Sequence, residues 1–378
     1  MKGLVGVNIR LHIDLQSELL SVAIRTCLTL PIAYWNVRKS IAVIGGGIIG
    51  MSIAWRLAQA KFTVTVFEKS TLGGEASWAG AGMLAPGGEF EEDSELARLA
   101  VESRDLYRAF VEELQHESGL DIDFQETGAL DLAYSPDELA VLAARAETQT
   151  VIGIPSRRLA PEQITTFWPR IRKEDLTGGY FYPGDASVNP RDVTAALKVC
   201  CHKAGVTVSE NTPIHSINPA DHDATVIAAG AWSSTIKIVG LPPLPESHPV
   251  RGHLLGYKQP DQLCSTIIRH NHTYLLQRAS GLLIVGASVE HVGFDRSINQ
   301  TAVADLESQA ANVMPHLAET TPTEIWNGFR PASDTLHLGM WHSPRVYLAY
   351  GHYRNGILLA PVTAQRLARE ITANLQTP

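Results

Sequence analysis

The sequence predicts an α/β fold, a Rossmann-type nucleotide-binding domain that carries an inserted antiparallel-sheet (α+β) domain. Three observations predict this fold: a glycine-rich turn between an apolar strand and a helix, a second such unit near the C-terminus, and alternating apolar and polar residues between them. Apolar strands recur in three separate segments of the chain. We therefore expect 39–86, 186–235 and 345–378 to form the nucleotide-binding domain. We expect 87–185 and 236–344 to form a substrate-binding domain.

The composition argues against several kinds of partner. The chain has 378 residues, of which 45% are hydrophobic and 19% charged, and this is enough to bury a large core. A formal net charge of −8 argues against nucleic acid and anionic membranes as partners. No two cysteines have CxxC spacing, so we expect reduced thiols and a cytoplasmic location. These cysteines are Cys27, Cys200, Cys201 and Cys264.

Residues 1–38 form an N-terminal extension before the first predicted strand. The stretch from Leu19 to Trp35 is apolar, but Arg25 interrupts it and it is short for a membrane span. Acidic residues at Asp14 and Glu18 are unusual in a signal or transit peptide. Three interpretations stay open: residues upstream of the true start, a disordered or loosely docked tail, and a targeting segment.

The first nucleotide-binding unit begins with an apolar strand at 41–44 and continues with G-x-G-x-x-G at 45–50. We expect Gly45 to permit a tight turn, Gly47 to let the backbone approach a pyrophosphate, and Gly50 to let the helix pack closely on the strand.

A helix at 51–60 and a strand at 62–67 complete this unit, and Glu68 follows the strand. The helix N-terminus offers N–H groups and a partial positive charge to phosphates, and Glu68 can accept hydrogen bonds from ribose hydroxyls. The unit as a whole predicts dinucleotide binding; the alternative is a glycine-rich turn that binds nothing.

The rest of the chain alternates between helices and strands. A run of small residues at 72–86 can lie close against a planar ligand. Predicted helices span 92–118, 136–148, 190–203, 301–314 and 357–374. Predicted strands lie within 122–134, 206–208, 223–229, 249–288, 324–330 and 346–350.

The second strand-glycine-helix unit indicates which dinucleotide is bound. Its turn at 351–356 precedes the closing helix, whose N-terminus can point at a ligand. A reduced flavin carries negative charge at N1 and the C2 carbonyl and is stabilised by a positive helix end, whereas a nicotinamide has no such need. This unit therefore favours FAD over NAD.

At this point the sequence resembles the FAD-dependent amino-acid oxidases of the D-amino-acid oxidase and sarcosine oxidase group, and within it the glycine oxidases of thiamine biosynthesis. The resemblance covers roughly Arg38 to Ala373. Gly351-His-Tyr-Arg-Asn-Gly-Ile-Leu-Leu-Ala-Pro361 carries it most specifically, with support from 79–84 and 328–331.

The resemblance implies an enzyme that uses FAD for oxidative deamination of glycine, with sarcosine or small D-amino acids as further substrates. The products would be glyoxylate, ammonia and hydrogen peroxide, and the glycine imine would supply thiazole formation in thiamine biosynthesis. The alternative on the same fold is a D-amino-acid dehydrogenase or a sarcosine oxidase. A non-catalytic flavoprotein and an NAD-dependent dehydrogenase are more distant alternatives.

The resemblance also implies which residues bind the cofactor. Besides the three glycines of the first turn and Gly230 at a later strand end, they are Ile48, Ile49, Glu68, Lys69, Ala76, Ser77, Ala81, Gly82, Met83, Ile214, His352, Tyr353, Arg354, Asn355, Gly356, Ile357 and Leu358.

Arg330 is the main candidate for substrate binding. An amino acid carries a carboxylate, which a guanidinium binds through two parallel hydrogen bonds. The resemblance assigns Arg330 to the substrate carboxylate and places Arg354, Tyr274, His272 and Met83 around it. A surface ion pair for Arg330, a loop-fixing role for Arg354 and a core position for Tyr274 are the alternatives. We expect no side chain to act as acid or base, because a hydride passes to the flavin.

Other types of site have little support. His270 and His272 lie on one strand face without a carboxylate or cysteine nearby in sequence, which argues against a metal. No GxSxG motif supports a nucleophilic serine. The family often has Met where Val289 stands, so pocket size or access could differ.

The resemblance implies further properties of the assembly. Sarcosine-type enzymes hold flavin through a cysteine near the C-terminal region, and no cysteine follows Cys264, so we expect non-covalent FAD. Oxygen is the expected second substrate. We also expect a homo-oligomer, such as a homotetramer, and a functional link to thiazole synthase.

Overall fold

The structure is a computed structural model that describes residues 38–259 and 261–376. The three interpretations of the N-terminal extension concern residues outside this part of the chain, apart from Arg38.

The helices are α1 (Ile48–Gln59), α2 (Ala76–Ala79), α3 (Glu95–Ser118), α4 (Pro136–Val151), α5 (Pro161–Phe167), α6 (Pro190–Lys203), α7 (Gln300–Val313) and α8 (Gly356–Gln376). The strands are β1 (Ser40–Ile44), β2 (Thr63–Phe67), β3 (Met83–Leu84), β4 (Phe124–Gln125), β5 (Ala129–Ala133), β6 (Arg157–Leu159), β7 (Gly178–Tyr182), β8 (Ala186–Val188), β9 (Thr207–Ser209), β10 (Ser216–Ile217), β11 (Ala224–Ile227), β12 (Lys237–Ile238), β13 (His248–Lys258), β14 (Ile267–His270), β15 (Thr273–Gln277), β16 (Leu282–Gly286), β17 (Glu324–Ala332), β18 (His337–Met340) and β19 (Val346–Tyr350).

A six-stranded sheet has the order β18-β19-β11-β1-β2-β9. Every neighbouring pair is parallel except β18 and β19. The three central strands β1, β11 and β19 are short and almost entirely buried, as expected for strands covered on both faces. The predicted α/β fold is therefore confirmed.

Helix α1 lies at the centre of the larger core and packs against α6 and α8. Ten of its twelve residues are buried, and Trp55 is fully enclosed. A helix that is apolar on nearly all sides must be surrounded by other elements. The glycine-rich turn that precedes α1 is consequently held by a rigid support.

The second large sheet has eight strands in the order β17-β13-β16-β15-β14-β5-β7-β6. Its pairs are antiparallel except for β14 with β5. The longest pairing joins β13 and β17 and runs from His248 opposite Ala332 to Gly256 opposite Glu324. This pairing fixes the position of Arg330, which lies opposite Val250.

Several elements differ in extent from the prediction. Helix α3 begins at Glu95 because the Ser94 hydroxyl accepts a hydrogen bond from the amide of Ala97 and caps the helix. Two short helices, α2 and α5, and the strands β3, β6, β7, β8, β10, β12 and β18 were not predicted. Strand β18 pairs with β19, although the predicted partition assigns its residues to the substrate-binding part. The domain partition stays a prediction.

Candidate active site

A cavity of about 550 Å³ is lined by residues from both large sheets and from the loops between them. All residues predicted to bind cofactor or substrate line it, except two. Gly50 and Leu358 are buried in the helices α1 and α8 and do not line the cavity.

The glycine-rich turn brings the N-terminus of α1 to the cavity. Gly45 has a φ of 108°, which favours glycine, and a side chain at Gly50 would overlap the carbonyl oxygen of Gly45. Gly47 is the N-cap and supplies no side chain, while the amide of Ile48 donates to the hydroxyl of Ser77 over 2.9 Å. The site of the expected pyrophosphate is thus bordered by a positive helix end.

Glu68 lies at the end of β2 and is 6% exposed. One carboxylate oxygen accepts from the amide of Gly46 over 2.8 Å, and the other accepts from the amide of Ser70 over 3.0 Å. The predicted acid is therefore in place, and its oxygens also fix the glycine-rich turn. The oxygen bonded to Ser70 also accepts from the Ser70 hydroxyl over 3.2 Å, and the oxygen bonded to Gly46 keeps a second lone pair to which a ribose hydroxyl can donate.

The run of small residues forms another wall of the cavity. Gly82 has a φ of 78°, and a side chain there would overlap the carbonyl oxygen of Val188. The buried Arg278 donates to the carbonyl oxygens of Val188 and Ala81. Burial lowers the pKa of Arg278 to about 10. Arg278 was not predicted, because its partners lie on distant segments.

Helix α8 presents its N-terminus to the cavity through Gly356 and Ile357. His352 lies just before it and is 4% exposed, and its Nε2 is 3.1 Å from the hydroxyl of Thr363. Burial lowers the pKa of His352 to about 3, so its imidazole is neutral at physiological pH. The predicted second helix terminus is present, with a neutral ring beside it.

Arg330 projects from β17 and lines the cavity. Its Nη1 donates to the carbonyl oxygen of Ser288 over 3.0 Å and lies 3.5 Å from that of Arg251. No ion pair joins Arg330 to a carboxylate within residues 38–259 and 261–376, and burial lowers its pKa. A side chain at Gly252 would overlap the guanidinium, so glycine leaves room for it.

Tyr274 and Arg354 flank Arg330. Tyr274 lies on β15 with its hydroxyl over Gly286, and burial raises its pKa. Arg354 is 48% exposed and pairs with Glu89, with 3.1 Å between Nε and a carboxylate oxygen. Glu89 was not predicted, although it lies three residues after the run of small residues at 72–86.

The other predicted substrate residues line the cavity at different points. Met83 is partly buried, His272 is exposed, and Val289 is 55% exposed. His272 also lines a second cavity of about 390 Å³. Across the described ranges, no group of three or more His, Cys, Asp or Glu residues is arranged to hold a metal ion.

Charged and aromatic residues that were not predicted surround Lys69. The Lys69 ammonium lies 4.0 Å from the centre of the Trp232 ring and pairs with Glu75. Glu75 also pairs with Arg296, and Phe294 stacks on Trp232 at 4.6 Å. Among these residues, only Trp232 could have been suspected from the sequence, because it follows Gly230 shortly after β11.

In the described ranges, no helix has the length and apolar character that crossing a bilayer requires.

Comparisons with known proteins show which family the chain belongs to. Residues 40–370 match the sequence model of a family described as FAD dependent oxidoreductase. Glycine oxidase of Geobacillus kaustophilus is 34% identical over 349 residues, which are 88% of this chain and 92% of that protein. A bifunctional protein ThiO/ThiG of Nostoc sp. is 32% identical over 90% of this chain and 54% of its own length.

A solved structure shares the fold. The crystal structure of glycine oxidase from Geobacillus kaustophilus superimposes with a TM-score of 0.83 at 32% identity. The match covers 90% of this chain and 96% of that chain.

Proposed function

Since this chain belongs to the family of FAD-dependent oxidoreductases and FAD is its cofactor, we propose that the enzyme oxidises glycine at its α-carbon. Glycine, water and oxygen are converted to glyoxylate, ammonia and hydrogen peroxide. Electrons and atoms balance, because the two electrons and two protons that glycine loses appear in peroxide and the imine takes its oxygen from water. The names of the relatives support this substrate.

The residues around the cavity fit FAD. Gly47 and Gly82 lack the Cβ atoms that would otherwise fill the wall, and the N-termini of α1 and α8 both reach the cavity. We propose that α1 and Ser77 hold the pyrophosphate, that Glu68 and Lys69 hold the adenosine side, and that the N-terminus of α8 stabilises negative charge on the ring system. When bound, FAD supplies a two-electron acceptor.

The observation that carries the proposal is that Arg330, partly buried in the cavity wall, forms no ion pair with a carboxylate of residues 38–259 and 261–376. Partial burial of a charge without a counter-ion is costly, and an amino-acid carboxylate would relieve this cost. Arg330 would hold the substrate carboxylate by two parallel hydrogen bonds. The substrate α-carbon would then be fixed relative to the small-residue wall at Gly82 and Met83.

We assign no acid or base to the chain. His352 is neutral and its Nε2 lies next to the hydroxyl of Thr363, and burial raises the pKa of Tyr274. Neither group is suited to remove a proton from an ammonium near neutral pH. The pocket residues orient the substrate, and the amine loses its proton to solvent.

An anaerobic absorbance titration of the purified protein with glycine tests the proposal. We expect a flavin band near ~450 nm that glycine bleaches and that air restores with release of peroxide. Bleaching that air does not reverse would indicate a dehydrogenase. Bleaching by sarcosine or a D-amino acid but not by glycine would replace the proposed substrate.

We further propose a cytoplasmic homo-oligomer with non-covalent FAD and a functional link to thiazole synthase. The ThiO/ThiG name of the Nostoc protein supports the link, since it combines two activities in one chain. The buried free thiols of Cys200, Cys201 and Cys264 support a reducing compartment. Denaturation that releases all FAD into the filtrate, and a sedimentation measurement of mass, would check the cofactor linkage and the assembly.

A further inference from the structure

Glu290 accepts hydrogen bonds from several elements beside Arg330. Its carboxylate accepts from Nη2 of Arg251 over 2.9 Å and from Nδ2 of Asn299 over 2.7 Å. It also accepts from the hydroxyl of Ser288 over 3.0 Å and lies 2.8 Å from Nδ1 of His253. One carboxylate thus connects β13 with the segment 288–299.

The contacts of His253 indicate its tautomer. This fully buried residue accepts a hydrogen bond at Nε2 from the amide of Asn299 over 3.2 Å. Its proton is therefore on Nδ1, where it is donated to Glu290. Burial alone would raise the pKa of Glu290, but the hydrogen bonds from Arg251, Asn299 and Ser288 lower it to about 2. Glu290 is thus anionic at every pH at which the enzyme is expected to work.

The backbone of the same residues supports Arg330. The amide of Arg251 donates to the carbonyl of Glu290 over 2.9 Å, and the amide of Glu290 donates to the carbonyl of Arg251 over 3.0 Å. The carbonyl oxygens nearest to Arg330 are those of Ser288 and Arg251. Both belong to residues whose side chains donate to Glu290.

We propose that Glu290 is a positioning residue for Arg330. By holding Arg251 and Ser288 together, its carboxylate fixes the two carbonyl oxygens that orient the guanidinium towards the substrate carboxylate. The inference rests on the proposed role of Arg330. Carbonyl oxygens bind a guanidinium more weakly than a carboxylate does. The orientation of the Arg330 guanidinium therefore depends on how accurately these two carbonyl oxygens are placed.

Acetate is a suitable probe, because it has the substrate carboxylate but no amine to oxidise. Its dissociation constant can be measured on the FAD-loaded enzyme from the change in the flavin spectrum. The measurement uses wild type, Glu290→Gln, Arg330→Ala and the double variant, together with the KM and kcat for glycine.

We expect Glu290→Gln to weaken acetate binding and raise the KM for glycine by about tenfold, while kcat at saturation changes by less than about threefold. In the Arg330→Ala background the same substitution should change acetate binding by less than about twofold, because the group that it positions is gone. Equal weakening in both backgrounds would show a general structural role and overturn the inference.

The remaining outcomes separate this inference from the proposed function. If Arg330→Ala weakens acetate binding and Glu290→Gln does not, only the inference is overturned. If Arg330→Ala has no effect, the substrate role of Arg330 and the inference both fail.

Two further variants are controls for misfolding and for the loss of one negative charge. Ser288→Ala removes the hydroxyl that bonds Glu290 and accepts from the amide of His253, but keeps the carbonyl. It should weaken acetate binding about threefold. Asp295→Asn removes the charge of the other carboxylate that pairs with Arg251. The Asp295 side chain is 51% exposed, so this pair is weak and acetate binding should be unchanged.

Discussion

The Arg330 guanidinium donates to the carbonyl oxygen of Ser288 over 3.0 Å, and Ser288 lies 42 residues earlier in the chain. A neutral carbonyl orients the guanidinium without cancelling its charge. The positive charge therefore remains available to an anion that enters the cavity. This arrangement is suited to a residue that must bind and release a carboxylate in each turnover.

Arg330→Ala should lower kcat/KM for glycine roughly 30-fold to several thousand-fold, which corresponds to a loss of about 2–5 kcal/mol of transition-state stabilisation. The reason is that the substrate carboxylate would lose the guanidinium that we propose binds it. Arg330→Lys is the matched variant, since it keeps the positive charge but cannot form two parallel hydrogen bonds. Its kcat/KM should lie between the values for wild type and Arg330→Ala. Steady-state kinetics would check this order, and equal kcat/KM in wild type and Arg330→Ala would contradict it.

Glu89→Gln should lower the KM for glycine by about two- to fivefold. Glu89 pairs with Arg354, and removal of its negative charge leaves that cation available to the substrate. Because the Arg354 side chain is 48% exposed, the pair contributes at most about 1 kcal/mol and the folded state should be little affected. Kinetics at low and high salt would check the effect, which should shrink as salt rises. A KM that increases would show that Glu89 assists binding.

Gly82→Ala should reduce both FAD retention and thermal stability. Gly119→Ala is a closely matched control, because both glycines have a φ of 78° but a side chain at Gly119 would meet no atom within 4 Å. Both variants share a left-handed strain of about 1–2 kcal/mol, so the difference between them measures the overlap with Val188. Thermal unfolding and flavin content after gel filtration would report it. Equal behaviour of the two variants would show that the wall at Gly82 can move.

His352 should make the protein less stable as pH falls. Its pKa is about 3 in the folded protein and 6.5 as a free side chain, so the unfolded chain binds more protons between these values. The free energy of unfolding therefore decreases from pH 6.5 downwards, by up to about 1.4 kcal/mol per pH unit from this residue. Urea unfolding of wild type and His352→Gln at about pH 7.5 and about pH 5 should show a smaller loss in the variant.

Asp185 also contributes to the pH dependence of stability, so the effect of His352 must be measured as a difference between wild type and His352→Gln. Burial raises its pKa to about 6, so the folded protein binds more protons than the unfolded chain between its ordinary value of 3.8 and 6. Its contribution to stability rises as pH falls through this range and opposes that of His352. An identical pH dependence in wild type and His352→Gln would contradict the assignment to His352.

The first nucleotide-binding unit could be predicted because its constraints are local. The positive φ of Gly45 and the contact between Gly50 and Gly45 both arise within one turn, so the spacing of glycines reports them directly. The same holds for α6, where Asn189 caps a helix that starts at Pro190.

The surroundings of Arg330 could not be predicted in the same way. Its neighbours come from β13 and from the segment after β16, and only the pairing of strands far apart in sequence brings them together. The same reason explains why Arg278 and Glu290 were missed. Their roles depend on carbonyls and side chains of other strands, for which a single sequence holds no local signal.

The indole of Trp326 on β17 donates to the carbonyl oxygen of Ala79 in α2 over 2.9 Å. Arg330, which we propose to bind the substrate carboxylate, lies four residues further along the same strand, so one continuous strand joins the cavity wall at Ala79 to this guanidinium. The distance between them is then difficult to adjust by substitution. Val289 is exposed and lies outside β17, but its neighbour Ser288 contacts Arg330, so a different side chain at Val289 would change the space beside the guanidinium and not its distance from Ala79. On the proposed function, a substitution at Val289 would therefore change which amine side chains fit, while Arg330 would keep its place.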